Sequence, residues 1–362
     1  MGARADPARP VHRSPLRIAP ARQWRNLMPT MEQRTLGRSP KLASVVGLGT
    51  WQLGADWGDV SEADAFAVLD AAVEGGVTFF DTADVYGDGR SEQLISRFLD
   101  DRGLRDQITV ATKMGRRQDQ IPENYRLENF RAWLDRSRTN LGVDRIDLVQ
   151  LHCPPTPVYS TEAVYDALDT LVDEGVIANY GVSVETTAEA LEAIRHPHVA
   201  TVQLIANAFR LKPIEEVAPI AAAAGVGLIA RVPLASGLLS GRYTEETTFA
   251  GNDHRTYNRR GEAFDVGETF SGVDFTVGVQ AAREFSALVT RLAPEGTTPA
   301  QAAIAWLWQQ PGITTVIPGA RNAEQSRGNA SAGSVPDLGA EFTAGVRDIY
   351  DRLIRGSVHA RW

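Results

Sequence analysis

The sequence predicts one α/β domain, a (β/α)8 TIM barrel with a long loop after strand 7 and a C-terminal helix. From residue 32 onward, short apolar runs typical of buried strands alternate with amphipathic segments typical of helices. Eight such units follow one another, which is the number that closes a parallel barrel. Several of the apolar runs end on polar residues. In a closed barrel these strand ends share one face, where barrel enzymes carry their chemistry.

The composition narrows the class of protein. A chain of 362 residues is long enough for one large barrel. Its net charge of −8 argues against a nucleic-acid partner, because such proteins normally present a basic surface. The single cysteine, Cys153, excludes an internal disulfide framework and fits a reducing compartment, so we predict a cytoplasmic protein. No apolar run approaches the roughly 20 residues that span a bilayer, and we predict no membrane association.

Residues 1–30 differ in composition from the rest of the chain. They are rich in Arg, Pro and Ala, contain one acidic residue, and show neither a helical nor a strand period. We therefore predict a disordered extension here and a single (β/α)8 barrel domain over 31–362. A transit peptide and a mis-assigned start codon are the alternatives, since Met31 opens the segment that has the globular pattern.

The eight strands are predicted from the apolar runs. Each is a short apolar run, and many contain the β-branched and aromatic residues that favour strands. The predicted ranges are 44–49, 77–81, 108–113, 146–152, 176–183, 201–206, 226–232 and 314–317.

Helices are predicted between the strands from caps and apolar stripes. The first begins after a capping-box-like segment at Ser61 and ends at Gly75 and Gly76. Further helices are predicted over 91–101, 127–141, 161–173, 187–195 and 342–353. A polar loop over about 240–275 lies between strand 7 and its helix, and loops of this length are usually functional.

Three successive strands end on side chains suited to carbonyl reduction. Asp81 and Tyr86 follow the second strand, Lys113 ends the third, and His152 ends the fourth. A phenol with a pKa of about 10 becomes a better proton donor when an ammonium group lowers that pKa. We expect Lys113 to supply the ammonium, Asp81 to keep it charged, and His152 to donate a hydrogen bond to the substrate oxygen. Each of these residues alone could have a purely structural role. Four of them at the ends of three successive strands predict an active site.

These residues lie in segments that resemble the aldo-keto reductase superfamily, above all bacterial members with a long loop after strand 7. The resemblance extends in order from residue 32 to the last helix. It implies that Asp81, Tyr86, Lys113 and His152 are catalytic. It also implies an NADPH-dependent oxidoreductase that reduces an aldehyde, ketone or sugar-like carbonyl. The segments that carry it are Gly47–Trp51, Phe80–Gly87, Ala111–Lys113, Leu151–Pro154, Gly181–Ser183, Pro233–Arg242 and Ile317–Arg321.

The resemblance further implies a nicotinamide dinucleotide lying across the barrel mouth. The glycine fingerprint of other dinucleotide sites is incomplete, because Gln52 stands where its third glycine would be. By family position, Ser183 and Gln203 contact the nicotinamide carboxamide, and Arg231 replaces an aromatic residue that often stacks on the ring. The other implied contacts are Thr50, Trp51, Leu234, Ser236, Leu238, Arg242, Gly319, Arg321, Gln325 and Asn329.

The arginines at the adenosine end bear on which cofactor is used. Arg321, with Arg242, favours NADPH because a guanidinium pairs well with a 2′-phosphate. Gly319 replaces a lysine that many members carry, which leaves NADH open. Trp51 and Trp57 are candidates for the substrate pocket.

The sequence leaves two alternative functions open. The same residues could serve an NAD(P)-dependent sugar or polyol dehydrogenase working in the oxidative direction. A cofactor-binding regulatory subunit is a second alternative, which the intact His152 disfavours. No metal site is predicted, because the pair His196 and His198 has no supporting cysteine or acidic cluster. Neither the substrate nor the oligomeric state is specified by the sequence.

Overall fold

A computed structural model describes residues 31–54 and 60–362. Eight parallel strands form one sheet, in which each strand neighbours the next along the chain. Parallel bridges from Val46 to Val316 and from Gly49 to Gly319 join the first strand to the last, so the sheet closes on itself. The predicted (β/α)8 barrel is confirmed. The extension over 1–30 and Trp57 lie outside the described residues.

A two-stranded antiparallel hairpin precedes the barrel and was not predicted. Between its strands, Leu36 packs against side chains from the barrel, including Phe79 and Ile229, so the hairpin covers one end of the barrel. The hairpin strands are β1 (Gln33–Thr35) and β2 (Leu42–Ser44). The barrel strands are β3 (Leu48–Gly49), β4 (Phe79–Asp81), β5 (Thr109–Met114), β6 (Leu148–His152), β7 (Tyr180–Ser183), β8 (Val199–Ile205), β9 (Gly227–Arg231) and β10 (Ile313–Val316).

The single strand predicted over 44–49 is wrong. Ser44 ends the hairpin, and its hydroxyl donates to the carbonyl of Val46 at 2.7 Å, while its backbone N–H donates to Thr78 at 3.0 Å. The chain therefore turns here before β3 enters the barrel. A continuous apolar run gave no sign of this bend, because both pieces are buried.

The helices between the strands match the predicted ones closely where caps are present. Ser61 accepts from the backbone N–H of Asp64 at 3.1 Å, and Gly142 ends its helix with a φ of 64°. The α-helices are α1 (Glu62–Glu74), α2 (Arg90–Arg102), α3 (Leu127–Leu141), α4 (Glu162–Asp173), α5 (Thr187–Ile194), α6 (Ala218–Ala224), α7 (His254–Tyr257), α8 (Phe275–Leu292), α9 (Pro299–Trp308), α10 (Ala323–Ser331), α11 (Gly339–Leu353) and α12 (Arg355–Val358). In the described part of the chain, none of them has the length and apolar character needed to cross a bilayer.

The long segment between β9 and α8 forms ion pairs with residues at or beyond the carboxyl ends of three barrel strands. Its acidic residues form ion pairs with arginines: Asp253 with Arg321 at 3.5 Å, Asp265 with Arg210 at 3.7 Å, and Glu268 with Arg231. The C-terminal Trp362 packs over the Arg210 guanidinium at 3.9 Å. The segment, called the long loop below (240–274), therefore lies over the carboxyl ends of the strands.

Candidate active site

The ion pair between Asp81 and Lys113 is the centre of the site. It joins the ends of β4 and β5, and the two side chains are 4% and 2% exposed. Lys113 also donates to the carbonyl of Thr82 at 2.9 Å. The second carboxylate oxygen of Asp81 accepts from the amides of Gln150 at 3.0 Å and Gln203 at 2.7 Å. Each charge is therefore held by several partners, as a buried pair requires.

The four predicted catalytic residues, Asp81, Tyr86, Lys113 and His152, are called the tetrad below. Its remaining two members, Tyr86 and His152, lie beside this pair. The ammonium nitrogen of Lys113 is 5.2 Å from the centre of the Tyr86 ring, so its charge acts on the phenol. The ring of Tyr86 meets the imidazole of His152 edge to face, with centroids 6.0 Å apart. The structure thus brings together all four predicted catalytic residues at the carboxyl ends of neighbouring strands.

Two opposing effects set the pKa of Tyr86. Burial of its hydroxyl end raises the pKa above 10, and the ammonium of Lys113 opposes this shift without overcoming it. The sequence indicated the lowering effect of Lys113 but not the larger effect of burial, because spacing in sequence carries no information about how deeply the phenol is enclosed. The phenol keeps its proton at neutral pH, as a proton donor must.

Lys113 and His152 are in opposite charge states. Burial alone would lower the pKa of Lys113, but the charge of Asp81 and the contact with Tyr86 outweigh burial and raise it. Burial, followed by the charges of Arg116, Lys113 and Arg231, holds the pKa of His152 well below its usual range. His152 is therefore a neutral imidazole, which donates one hydrogen bond.

Gln150 is a supporting residue that the sequence analysis missed. It lies in β6 two residues before His152, so both side chains point to the same side of the strand. Its amide donates to Asp81, and its oxygen accepts from Gln203 at 3.2 Å. The available signal was a polar residue inside an apolar run that ends on a candidate site residue.

A cleft of about 880 Å³ extends from Tyr86 and His152 across the barrel mouth. This volume lies in the range of small-molecule and cofactor sites. Leu238 does not reach the cleft, because its side chain is fully buried and packs toward Gly278. The predicted cofactor residues that do line it are Thr50, Trp51, Ser183, Gln203, Arg231, Leu234, Ser236, Arg242, Gly319, Arg321, Gln325 and Asn329.

Several of these residues already have partners within the protein. The amide nitrogen of Gln203 is used by Asp81, so its oxygen is the atom left to accept from a ligand. Thr50 is buried and its hydroxyl donates to the carbonyl of Asp81 at 3.0 Å. The hydroxyl of Ser236 accepts from the backbone N–H of Phe270 at 3.1 Å. We therefore expect Thr50 and Ser236 to shape the cleft more than to donate to a ligand.

A second part of the cleft, called the cationic end below, is rich in arginine, and Asp253 pairs with Arg255 and Arg321 there. Arg242, Arg255 and Arg321 line it together with the start of α10, where Gln325 accepts from the backbone N–H of Arg321 at 2.9 Å. Asn329 donates to the carbonyl of Gly319 at 3.0 Å. Guanidinium groups and a helix N-terminus are the donors that phosphate groups prefer. This donor set and the cleft volume fit a nicotinamide dinucleotide.

Arg231 occupies the position at which the resemblance implies an aromatic residue that often stacks on the nicotinamide ring. It is almost buried, pairs with Glu268 of the long loop, and donates to the carbonyl of Val184 at 3.3 Å. Its charge is therefore neutralised by the long loop, which explains how a guanidinium is tolerated at this depth.

An aromatic wall faces the tetrad. Trp51 stacks on Tyr86 with centroids 6.2 Å apart, and Phe264 of the long loop meets Trp51 edge to face at 5.7 Å. His254, also from the long loop, lies 6.0 Å from Trp51, and burial lowers its pKa to about 3. The sequence analysis selected Trp51 but neither long-loop residue, because contacts across a long irregular segment leave no periodic pattern.

Comparison with known proteins identifies the family. The sequence model of the Aldo/keto reductase family matches residues 45–351. The chain belongs to the aldo/keto reductase family. It is 30% identical over 300 residues to aldo-keto reductase YhdN of Bacillus subtilis, covering 82% of this chain and 86% of that one. It is also 30% identical to a probable voltage-gated potassium channel subunit beta of Oryza sativa, over 83% of this chain and 91% of that one.

Comparison with a solved structure shows that the similarity includes the fold. The glycerol dehydrogenase AKR11B4 from Gluconobacter oxydans matches with a TM-score of 0.73 and 27% identity, over 88% of this chain and 95% of that one. Aldo/keto reductases are NAD(P)H-dependent oxidoreductases. This chain is accordingly an NAD(P)H-dependent aldo-keto reductase.

Proposed function

We propose that this enzyme reduces an aldehyde, ketone or sugar-like carbonyl with NADPH, and that Tyr86 is the proton donor. The observation that carries the proposal is the buried chain of contacts from Asp81 through Lys113 to the protonated phenol of Tyr86. Asp81 and Tyr86, with His152, line a cleft large enough for a dinucleotide and a small substrate.

Each residue of the tetrad has a separate task. When bound, the reduced nicotinamide supplies the hydride to the carbonyl carbon. Tyr86 gives its proton to the carbonyl oxygen as negative charge builds there. Lys113 stabilises the phenolate that remains, and Asp81 keeps Lys113 charged and aimed. The neutral His152 donates a hydrogen bond to the same oxygen and orients the substrate.

The cofactor would lie along the cleft from Ser183 to α10. Ser183 and the free amide oxygen of Gln203 are suited to the carboxamide near the tetrad. Arg242 lies where it could pair with the pyrophosphate, and Arg321 with a 2′-phosphate. The cationic end supports a preference for NADPH over NADH.

Oxidation of a sugar or polyol is the second candidate. The same four residues would serve it, with Tyr86 accepting the proton, and a relative of 27% identity is named a glycerol dehydrogenase. A regulatory role like that of a channel subunit has weaker support. The complete tetrad favours turnover over cofactor binding alone.

A two-direction screen tests the function. The absorbance of the reduced nicotinamide is followed with NADPH and NADH against aldehydes and ketosugars, and with NADP⁺ and NAD⁺ against polyols. We expect oxidation of NADPH by at least one carbonyl compound. Turnover of polyols alone would favour the dehydrogenase, and cofactor binding without turnover of any compound would favour the regulatory role.

Arg321→Ala tests the assignment of cofactor preference. Loss of a charge-assisted bond to the 2′-phosphate should raise the KM for NADPH on the order of 10- to 100-fold, with a smaller effect on NADH. Arg327→Ala is the control, because Arg327 lies on α10, just after Arg321 in the chain, with its side chain 61% exposed and paired with Glu74. Equal effects of Arg321→Ala on the two cofactors would remove Arg321 from the 2′-phosphate site.

A further inference from the structure

Arg116 is a partly buried cation beside the tetrad, and it has no role in the mechanism proposed for Tyr86. It lies two residues beyond the end of β5, and its guanidinium lines the cleft. Its Nε donates to the carbonyl of His152 at 3.0 Å, and its charge acts on both Tyr86 and His152. It therefore lies next to the position where the reacting carbonyl would bind.

The other cations near Tyr86 are already neutralised by carboxylates. Lys113 pairs with Asp81, and Arg231 pairs with Glu268. Arg116 has a weaker partner, since Glu185 lies 3.5 Å from one of its nitrogens and both side chains are about one-third exposed. In the part of the chain that the structure describes, Nη1 of Arg116 has no hydrogen-bond partner.

The environment of Glu185 also limits how well it competes for Arg116. Burial and the nearby Asp265 raise the pKa of Glu185, so its ionised form is less stable here than in water. Glu185 does not line the cleft, whereas Arg116 does. A carboxylate entering the cleft would therefore find a guanidinium with unused donors.

The lining of the cleft near Tyr86 is partly apolar and partly cationic. Trp51, Phe264 and Val85 supply apolar surface, and Arg116 supplies a positive charge to the same cleft. We propose that Arg116 is a specificity-determining residue that selects carbonyl substrates carrying a carboxylate, that is, oxo acids and aldehyde acids. This inference rests on the proposed function, since it names the substrate class of the same site.

The reaction balances for such a substrate. The hydride of NADPH forms a bond to the carbonyl carbon, Tyr86 gives its proton to the oxygen, and the product is a hydroxy acid with NADP⁺. Solvent then returns a proton to Tyr86. The carboxylate takes no part in the chemistry, and Arg116 holds it through the paired hydrogen bonds that a guanidinium offers.

Matched aldehydes test the inference. For 4-carboxybenzaldehyde and benzaldehyde, we expect the wild-type enzyme to favour the acid in kcat/KM. Arg116→Gln should reduce that preference on the order of 10- to 100-fold, mainly through KM for the acid. Glu185→Gln should increase the preference, because it removes the competing carboxylate. Arg126→Gln is the control for surface charge, since that side chain is 65% exposed.

The opposite effects expected of Arg116→Gln and Glu185→Gln distinguish a role in substrate specificity from a purely structural role. If Arg116 and Glu185 only hold His152 in place, both variants should lower the turnover of both aldehydes alike. That result, or a wild-type enzyme that reduces benzaldehyde without preferring the acid, would overturn the inference while leaving the proposed function intact.

A binding measurement tests the role of Arg116 even if the enzyme reduces neither aldehyde. Tryptophan fluorescence of the enzyme with NADP⁺ should report tighter binding of benzoate than of benzamide, and Arg116→Gln should abolish the difference. Such a preference without turnover of any aldehyde would contradict the proposed function alone. Equal binding of the two probes would overturn the role of Arg116 as well.

Discussion

Tyr86→Phe should lower kcat for carbonyl reduction by about 10²- to 10⁴-fold, the usual contribution of a positioned general acid. The dissociation constant for NADPH, measured by fluorescence, should change little. Phenylalanine keeps the ring that stacks on Trp51 and meets His152, and only the hydroxyl next to Lys113 is lost. The expected defect is therefore in chemistry and not in the shape of the cleft.

Tyr180→Phe is the matched control for this variant. Tyr180 is also buried, and its hydroxyl hydrogen-bonds Asp169 at 2.8 Å, away from the cleft. Its loss should lower stability slightly and leave kcat unchanged. Preserved turnover in Tyr86→Phe together with lost cofactor binding would refute the assignment of Tyr86 as proton donor.

The pH dependence of the wild-type enzyme follows from the same group. Burial raises the pKa of Tyr86 above 10, so the phenol stays protonated through neutral and mildly alkaline pH. As a proton donor, Tyr86 should not limit reduction until the pH rises past 10.

The barrel and the tetrad were predictable because both depend on short-range pattern. Strand ends can be located from apolar runs, and the closed topology then brings Asp81, Lys113 and His152 to one face. Tyr86 lies in the turn just after β4, so its position follows from that of Asp81. The approach of the Lys113 ammonium to the Tyr86 ring is compatible with the roles that the sequence suggested.

What could not be predicted depends on contacts between distant segments. The partner of Arg231 is Glu268, which belongs to an irregular loop without periodicity. The partner of Arg321 is Asp253, which comes from the same loop. Burial of the phenol, which raises the pKa of Tyr86 more than Lys113 lowers it, depends on the whole barrel. Leu238 was assigned to the cofactor by family position, yet its side chain is fully buried in the core.

Lys113→Met should affect both activity and stability. Without the ammonium, the phenolate formed on Tyr86 loses its stabilising charge, so kcat should fall by about 10²- to 10⁴-fold. Asp81 would also be left as a buried carboxylate with only the amides of Gln150 and Gln203. Breaking a buried ion pair in this way costs about 3–5 kcal/mol, which urea unfolding followed by circular dichroism would measure.

The double variant Asp81→Asn with Lys113→Met separates these two effects. An asparagine needs no counter-charge, so the double variant should regain much of the free energy of unfolding that Lys113→Met loses. Its kcat should stay as low as that of Lys113→Met, because no cation is restored beside Tyr86. Recovery of activity along with stability would mean that the ion pair only supports the fold. Low activity in a restored fold would instead tie turnover to the ammonium itself.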